Sequence, residues 1–296
     1  MVASGIVLVD KPWGLSSHSA VSGVRKALGT KKVGHAGTLD PAATGLLVMG
    51  VNAGTRLLTY LVGLDKAYTA TLRLGYGTTT DDAEGERVDV SGADLKSCTD
   101  QAISEALTGF RGGIDQVPST FSAIKVQGKR AYDLARSGQG VELASRRVTI
   151  SLLELGTITR GDGWIDVELQ VECSSGTYIR ALARDIGRVL NVGGHLVSLR
   201  RTRVGPFPVE GTPGPADVLE SQVISLADAA GMVMPTVELD HAAETDTSHG
   251  RPIRAEGWAE GVPLAALSQE TGNLIAILEA SGGRSRILMG VPPSER

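Results

Sequence analysis

Residues 34–45 read Gly34-His-Ala-Gly-Thr-Leu-Asp-Pro-Ala-Ala-Thr-Gly45, and the interpretation of the whole chain turns on them. Three glycines in so short a stretch suggest a phosphate-binding loop. That test fails, because there is no GxxxxGK(S/T) and no GxGxxG opening a helix after a strand. What the stretch offers is one carboxylate, Asp40, set in a tight turn by Pro41 among small residues. Small side chains let a ligand approach the backbone closely. Taken alone, the residues leave two readings, an Asp-Pro turn starter and a carboxylate presented for chemistry.

On the N-terminal side, residues 6–10 form a short apolar run that enters the turn Lys11-Pro-Trp-Gly14, as a strand does. Residues 19–28 place Val21, Val24, Ala27 and Leu28 at helical spacing, with Gly29 as a stop. Residues 31–44 read as a glycine-rich loop. On the C-terminal side, residues 46–51 form a buried type of strand, and Asn52 is placed to cap a helix over 53–61. Residues 66–74 alternate, with Tyr68, Ala70, Leu72 and Leu74 on one face and Thr69, Thr71 and Arg73 on the other, which predicts a half-buried strand. Residues 78–85 are polar and acidic, hence a loop. Helices are predicted over 99–107 and 129–136. Two long strands, 148–158 and 164–173, are joined by a hairpin through 160–163. A helix over 177–190 carries Arg180, Arg184 and Arg188 on one face. Strands and helices interleave without βαβ alternation, so the expected class is α+β with a mixed or antiparallel sheet.

A chain of 296 residues suggests one large domain and a small one. Composition turns Pro/Gly-rich over 206–215, and Pro235 marks a boundary. Beyond it lie short apolar runs, 274–278 and 287–291, between glycine turns. The expected division is 1–232 and a β-rich module over 233–296. Cys98 and Cys173 belong to no CxxC pair, so neither a disulfide framework nor a zinc site is indicated. The first residues lack the pattern of a signal peptide, and no stretch approaches the ~18 apolar residues of a membrane span. These features predict a soluble, cytoplasmic protein with no membrane partner.

The net charge of −4 is unevenly spread. Residues 210–296 hold 13 acids and 5 bases, which leaves 20 acids and 24 bases in residues 1–209. Between Arg180 and Arg203 there are six arginines and one acid, Asp185. Such a stripe either tracks phosphates or forms a solvated helix face with its following loop.

The loop around Asp40 resembles the catalytic loop of the TruB-type bacterial tRNA pseudouridine synthases, whose pattern is G-H-x-G-T-L-D-P-x-A-T-G. Further segments are similar to that family in the same order. They are Lys11-Pro-Trp-Gly-Leu-Ser16, Asp65-Lys-Ala-Tyr68, Cys173-Ser-Ser-Gly-Thr-Tyr-Ile-Arg180 and Leu199-Arg-Arg-Thr202. The similarity runs over about 200 residues; Ala36 and Ala42 stand where the family has Thr and Leu. The resemblance implies a pseudouridine synthase catalytic domain followed by a small RNA-binding domain of the PUA type. It implies an isomerase that acts on uridine 55 in the T loop of tRNA by base flipping and without a guide RNA; an isomerisation that changes no oxidation state and moves no phosphoryl group needs no cofactor or metal, and a monomer is expected.

Making pseudouridine breaks the N1–C1′ bond, turns the uracil and rejoins it through C5. A carboxylate beside the sugar serves either as nucleophile or as base at C2′, and the sequence does not choose between them. By resemblance Asp40 is that carboxylate, Tyr68 stacks on the uracil, and Arg180 pairs with Asp40 and holds it ionised. Tyr178 and Leu199 line the pocket, Asp82 lies near it, and His35 sits where the nucleotide leaves its stack. Lys11 supports the loop rather than performing chemistry. Arg184, Arg200 and Arg201 are the expected RNA contacts. Two rivals remain: a guide-dependent synthase, which would carry basic extensions that are absent here, and a tRNA-folding chaperone whose catalysis is secondary.

Overall fold

The computed structural model describes residues 2–121 and 143–296, together with the short strands Lys125–Val126 and Lys129–Arg130. In chain order the strands are β1 Gly5–Lys11, β2 Val33–His35, β3 Ala43–Val51, β4 Lys66–Leu74, β5 Gly77–Thr78, β6 Arg87–Val88, β7 Gly112–Gln116, β8 Lys125–Val126, β9 Lys129–Arg130, β10 Arg146–Gly161, β11 Trp164–Cys173, β12 Gly194–Val204, β13 Phe207–Pro208, β14 Ile224–Ser225, β15 Thr236–Leu239, β16 Leu264–Ser268, β17 Leu274–Ser281 and β18 Arg284–Gly290. The helices among the described residues are α1 Ser17–Ala27, α2 Gly54–Leu61, α3 Asp100–Thr108, α4 Ile179–Val189, α5 Leu226–Gly231 and α6 His241–Ser248. The class is α+β with mixed sheets, as the sequence predicts.

The chain forms two compact units. The first comprises Met1–Pro41, Gly45–Gly63 and Gly205–Arg296; the second comprises Ala42–Thr44 and Leu64–Val204.

In the first unit β1 runs antiparallel to β3, from Gly5 opposite Val51 to Lys11 opposite Gly45, and β14 adds to the outer side of β1. Part of the stretch expected to be a loop is strand: β2 pairs with β3, with His35 opposite Met49. β3 is buried along almost its whole length, which its unbroken apolar run dictates. Helix α1 starts at the Ser16 side chain, which accepts from the Ser19 N–H, and buries Ser17, Ala20, Val21 and Val24 at helical spacing. The expected cap on α2 is different. Asn52 adopts a left-handed φ of 53°, which lets the chain turn sharply from β3 into the helix, and Asn tolerates that region better than most residues. Its side chain is used elsewhere, accepting from Thr30 Oγ1 and donating to the Val2 carbonyl. The C-terminal strands form a four-stranded sheet in the order β15-β16-β17-β18, parallel only between β15 and β16. Its core is Leu239, Leu264, Ala266, Ile275, Ala276 and Leu278. This sheet packs on α5, and Glu295 binds Ser4 and Lys32. The segment 233–296 is therefore clustered with the N-terminal strands.

In the second unit an antiparallel sheet runs β12-β4-β11-β10-β7. β4 and β11 have the predicted bounds, β4 from its alternation and β11 as the strand after the hairpin turn. The arginine-rich stretch 199–203 belongs to a strand, β12, with Arg201 opposite Tyr68 and Leu199 opposite Ala70. One of the two readings of the sequence places it in a loop after a solvated helix face. The expected helix over 129–136 begins instead with the strand Lys129–Arg130, and its remainder lies outside the described residues. Helix α4 lies against β12 because Gly187 has no side chain: a Cβ there would meet the Gly193 carbonyl carbon at 2.3 Å. Gly187→Ala should therefore cost about 2–3 kcal/mol of stability by overpacking backbone that cannot yield. The loss is measurable as a lower urea midpoint.

Candidate active site

In the first unit the Asp40 loop is fixed from below. Lys11 has no exposed surface, and its ammonium donates to the carbonyls of Pro12, Leu15 and Pro41 at 3.1, 2.7 and 3.2 Å. A buried ammonium keeps its charge only where oxygens replace its water, and here one of those oxygens belongs to the residue after Asp40. The hydroxyl of Ser17, at the start of α1, donates to the Leu39 carbonyl and accepts from the Leu39 N–H, both at 2.9 Å. The Gly14 N–H adds a bond to the Pro41 carbonyl at 2.9 Å. Both neighbours of Asp40 are thus tied to rigid elements, while Asp40 itself and His35 are half-buried. Lys11 thus ties the turn to the Asp40 loop. Ser17 is a positioning residue that the sequence did not reveal, because a serine after an N-cap serine has no distinguishing pattern.

In the second unit the side chains converge on α4. Arg180, almost fully buried, forms an ion pair with Asp82 at 3.2 Å and donates to the carbonyls of Thr80 and Phe121 at 2.9 and 2.8 Å. Asp82 also accepts from Thr80 Oγ1 at 2.5 Å and from the Glu84 N–H at 3.1 Å. One turn along α4, Arg184 pairs with Asp81 at 3.2 Å and with Asp185 at 3.1 Å, and donates to the Val117 carbonyl. Burial pushes the Asp81 carboxyl up. Two arginines thus hold an acidic loop whose residue Asp81 has a left-handed φ of 61°. Tyr178 is held through its backbone: Gln116, buried at the end of β7, accepts from the Tyr178 N–H at 2.8 Å and donates to its carbonyl at 3.1 Å. Gln116, Thr80 and Asp81 were not singled out from the sequence, because their partners are 62 to 103 positions away.

Tyr68 is buried on β4 between Val171 of β11 and Arg201 of β12. Leu199 and Arg200 are half-buried on β12. The arginines do not form a continuous exposed stripe. Arg201 is 1% exposed, Arg203 meets Glu172 at 3.0 Å, and Arg180 and Arg184 are occupied as described; only Arg188 stands well out, with 81% of its side chain exposed. On the same sheet Lys66 lies opposite Cys173. Burial, with help from the Arg201 guanidinium, holds its ammonium down at about 8. Among the described residues no group of three His, Cys, Asp or Glu side chains could hold a metal ion, and no helix is long and apolar enough to cross a membrane.

The fold is that of the pseudouridine synthases. A chain in the crystal structure of a Cbf5–Nop10–Gar1 complex superposes on 97% of this chain, and on 84% of its own length, with a TM-score of 0.71 at 24% identity. A chain in the structure of an H/ACA RNP bound to a substrate RNA containing 2′-deoxyuridine matches 98% of this chain and 85% of its own, at the same score and 23% identity. Residues 25–179 match the N-terminal domain of the TruB family of pseudouridylate synthases, and residues 180–233 match the tRNA pseudouridylate synthase B C-terminal domain. The protein named tRNA pseudouridine synthase B from Leifsonia xyli is 46% identical over 100% of this chain and 99% of its own length. The protein of that name from a Mycobacterium species is 49% identical over 99% and 98%. This chain belongs to the TruB family and is a pseudouridine synthase, an isomerase.

Two outcomes test the geometry. Asp82→Ala removes the carboxylate from a buried guanidinium and should cost about 3 kcal/mol or more, whereas Arg188→Ala should change stability by about 0.5 kcal/mol or less; urea unfolding of the two variants compares them. The second concerns pH. The folded-state pKa of Lys66, about 8, lies below its ordinary 10.5, so between these values the unfolded chain binds the extra proton and stability rises with pH. Cys173, pushed up to about 11 by burial, acts in the opposite sense only above its ordinary 9.0. From pH 8 to 9 the wild type should therefore gain stability relative to Lys66→Met, measured by denaturant midpoints across that window.

Proposed function

We propose that this enzyme converts uridine 55 in the T loop of tRNA to pseudouridine, with Asp40 as the catalytic carboxylate, as a monomer in the cytoplasm and without a guide RNA. The observation that carries the reading is the fixation of the Asp40 loop. Lys11, Ser17 and Gly14 hold the residues on both sides of Asp40 and leave Asp40 itself half-buried. A structural Asp-Pro turn needs no buried ammonium beneath it, whereas a nucleophile or base must keep its place while a sugar is brought to it. The names of the close relatives support tRNA as the substrate.

Asp40 takes one of two courses. It attacks C1′ as the N1 bond breaks, or it removes the C2′ proton; in either case the uracil turns and C5 joins C1′. Oxidation state is unchanged and no phosphoryl group moves, so the chemistry calls for neither cofactor nor metal. We assign Tyr68 to stacking on the uracil and to the C5 proton, and Arg180 to aiming the catalytic carboxylate. Asp82 fixes the Arg180 guanidinium. Tyr178 and Leu199 line the uracil site, and His35 faces the nucleotide as it leaves the stack, since an embedded uridine must be flipped out to react. Arg184 and Arg200 lie at the RNA-facing side, and Arg201 supports Tyr68 from the neighbouring strand. Residues 233–296 form an accessory RNA-binding module.

The test is purified protein with an unmodified tRNA transcript, in chelator and without added RNA, followed by mapping of pseudouridine. Modification at position 55 alone is expected. Asp40→Asn should retain tRNA affinity within a few fold and lose turnover altogether, because the amide keeps the size of the carboxylate but is a poor nucleophile and base. Turnover by that variant above any wild-type contamination would overturn the assignment.

A further inference from the structure

The Lys11-Pro-Trp-Gly14 turn carries an indole that nothing in the reaction uses. Trp13 is 71% exposed, and among the large apolar side chains exposed in the described residues it is the sole aromatic. Water contact over most of an indole is unfavourable, and no packing role in the folded chain requires the residue. The turn that presents it is nevertheless rigid. Lys11 on one side donates to the Pro12 carbonyl, Gly14 on the other takes a left-handed φ of 80°, and the Gly14 N–H and the Lys11 ammonium both bind the Pro41 carbonyl. The indole is thus mounted on the same support as Asp40, within the same unit.

The neighbourhood of Asp40 sets the occupant. The Trp13 turn and the Asp40 loop share the Pro41 carbonyl, which both the Gly14 N–H and the Lys11 ammonium bind, so a nucleic acid brought to Asp40 comes within reach of the indole.

We propose that Trp13 is a stacking platform for an unpaired RNA base next to the target uridine. The inference rests on the reading of an RNA substrate above. Flipping one nucleotide out of a loop strips a neighbouring base of its stacking partner, and a fixed, exposed aromatic replaces that partner without reading sequence. Trp13 thereby contributes to substrate affinity and to holding the loop open, while the bond-making step stays with Asp40.

Steady-state turnover of an unmodified tRNA transcript by wild type, Trp13→Ala and Trp13→Phe tests this. Trp13→Ala should raise KM about tenfold with kcat changed less than about twofold, and Trp13→Phe, which keeps a π-face, should recover most of the loss. An unchanged KM in Trp13→Ala, with an active wild type, overturns the stack alone; so does a Phe variant as weak as Ala. A wild type that converts no uridine overturns the function beneath it as well. Should Trp13→Ala melt early, emission decides. The other two indoles are engaged, Trp164 under the Arg73 guanidinium at 4.5 Å and Trp258 against the core of the C-terminal sheet. A quench by tRNA in the wild type that Trp13→Phe lacks supports the stack, and identical titrations overturn it. Self-association of the free protein that disappears in Trp13→Ala assigns the indole to a second copy and overturns it too.

Discussion

A lysine ammonium with no exposed surface sets the geometry on which the first unit depends. Lys11 ends β1, and its charge is tolerable in the interior only because the carbonyls of Pro12, Leu15 and Pro41 replace its water. That requirement folds the Lys-Pro-Trp-Gly turn back on itself and pulls in the loop after β2. The strand, the turn and the Asp40 loop become one rigid piece through a cation with no exposed surface. A neutral side chain of the same length would fill the space but would take the ammonium away from the Pro12 and Leu15 carbonyls and leave Pro41 with the Gly14 N–H, and an unmade bond to a buried carbonyl is the costly half of a broken hydrogen bond.

The second unit solves a related problem with the charges reversed in number. Its acidic loop brings Asp81 and Asp82 into the interior, and α4 supplies Arg180 and Arg184 one turn apart to meet them. The arginine spacing that looked like a phosphate-tracking face is in large part an internal one. Charge density along a sequence measures how many cations are present; where the acids lie in three dimensions decides how many remain for a ligand. Of the six arginines between Arg180 and Arg203, Arg188 is the one that stands well out.

Much of the fold was legible wherever one physical signal dominated. The alternation of 66–74 set the bounds of β4, which has one buried and one more open face, and the hairpin turn at 160–163 set the start of β11. The apolar run of β3 and the helical spacing of Val21 and Val24 were equally clear. Legibility failed where signals conflicted. β12 carries Arg200, Arg201 and Arg203, and its strand character comes from pairing with β4 rather than from its own composition. β2 was hidden by glycines, and Asn52 turned the chain in a left-handed conformation where an N-cap was expected. In the site, the types and order of Lys11, Asp40, Tyr68 and Arg180 stood out through resemblance. Ser17 and Gln116 did not, since each acts by bonding backbone groups that only the tertiary fold brings near.

The first unit is assembled from distant parts of the chain: β1 and β3 precede Gly63, while β14, α5 and the four-stranded sheet follow Gly205. On a translating ribosome the opening strands emerge long before the segments that flank them. At common elongation rates the interval is on the order of ten seconds, during which the apolar β3 has an unfinished sheet around it. The second unit, drawn almost wholly from the intervening residues, can form in that time. Nascent-chain binding factors would therefore find their exposed target at the front of this protein, and its release from them would await the last quarter of synthesis.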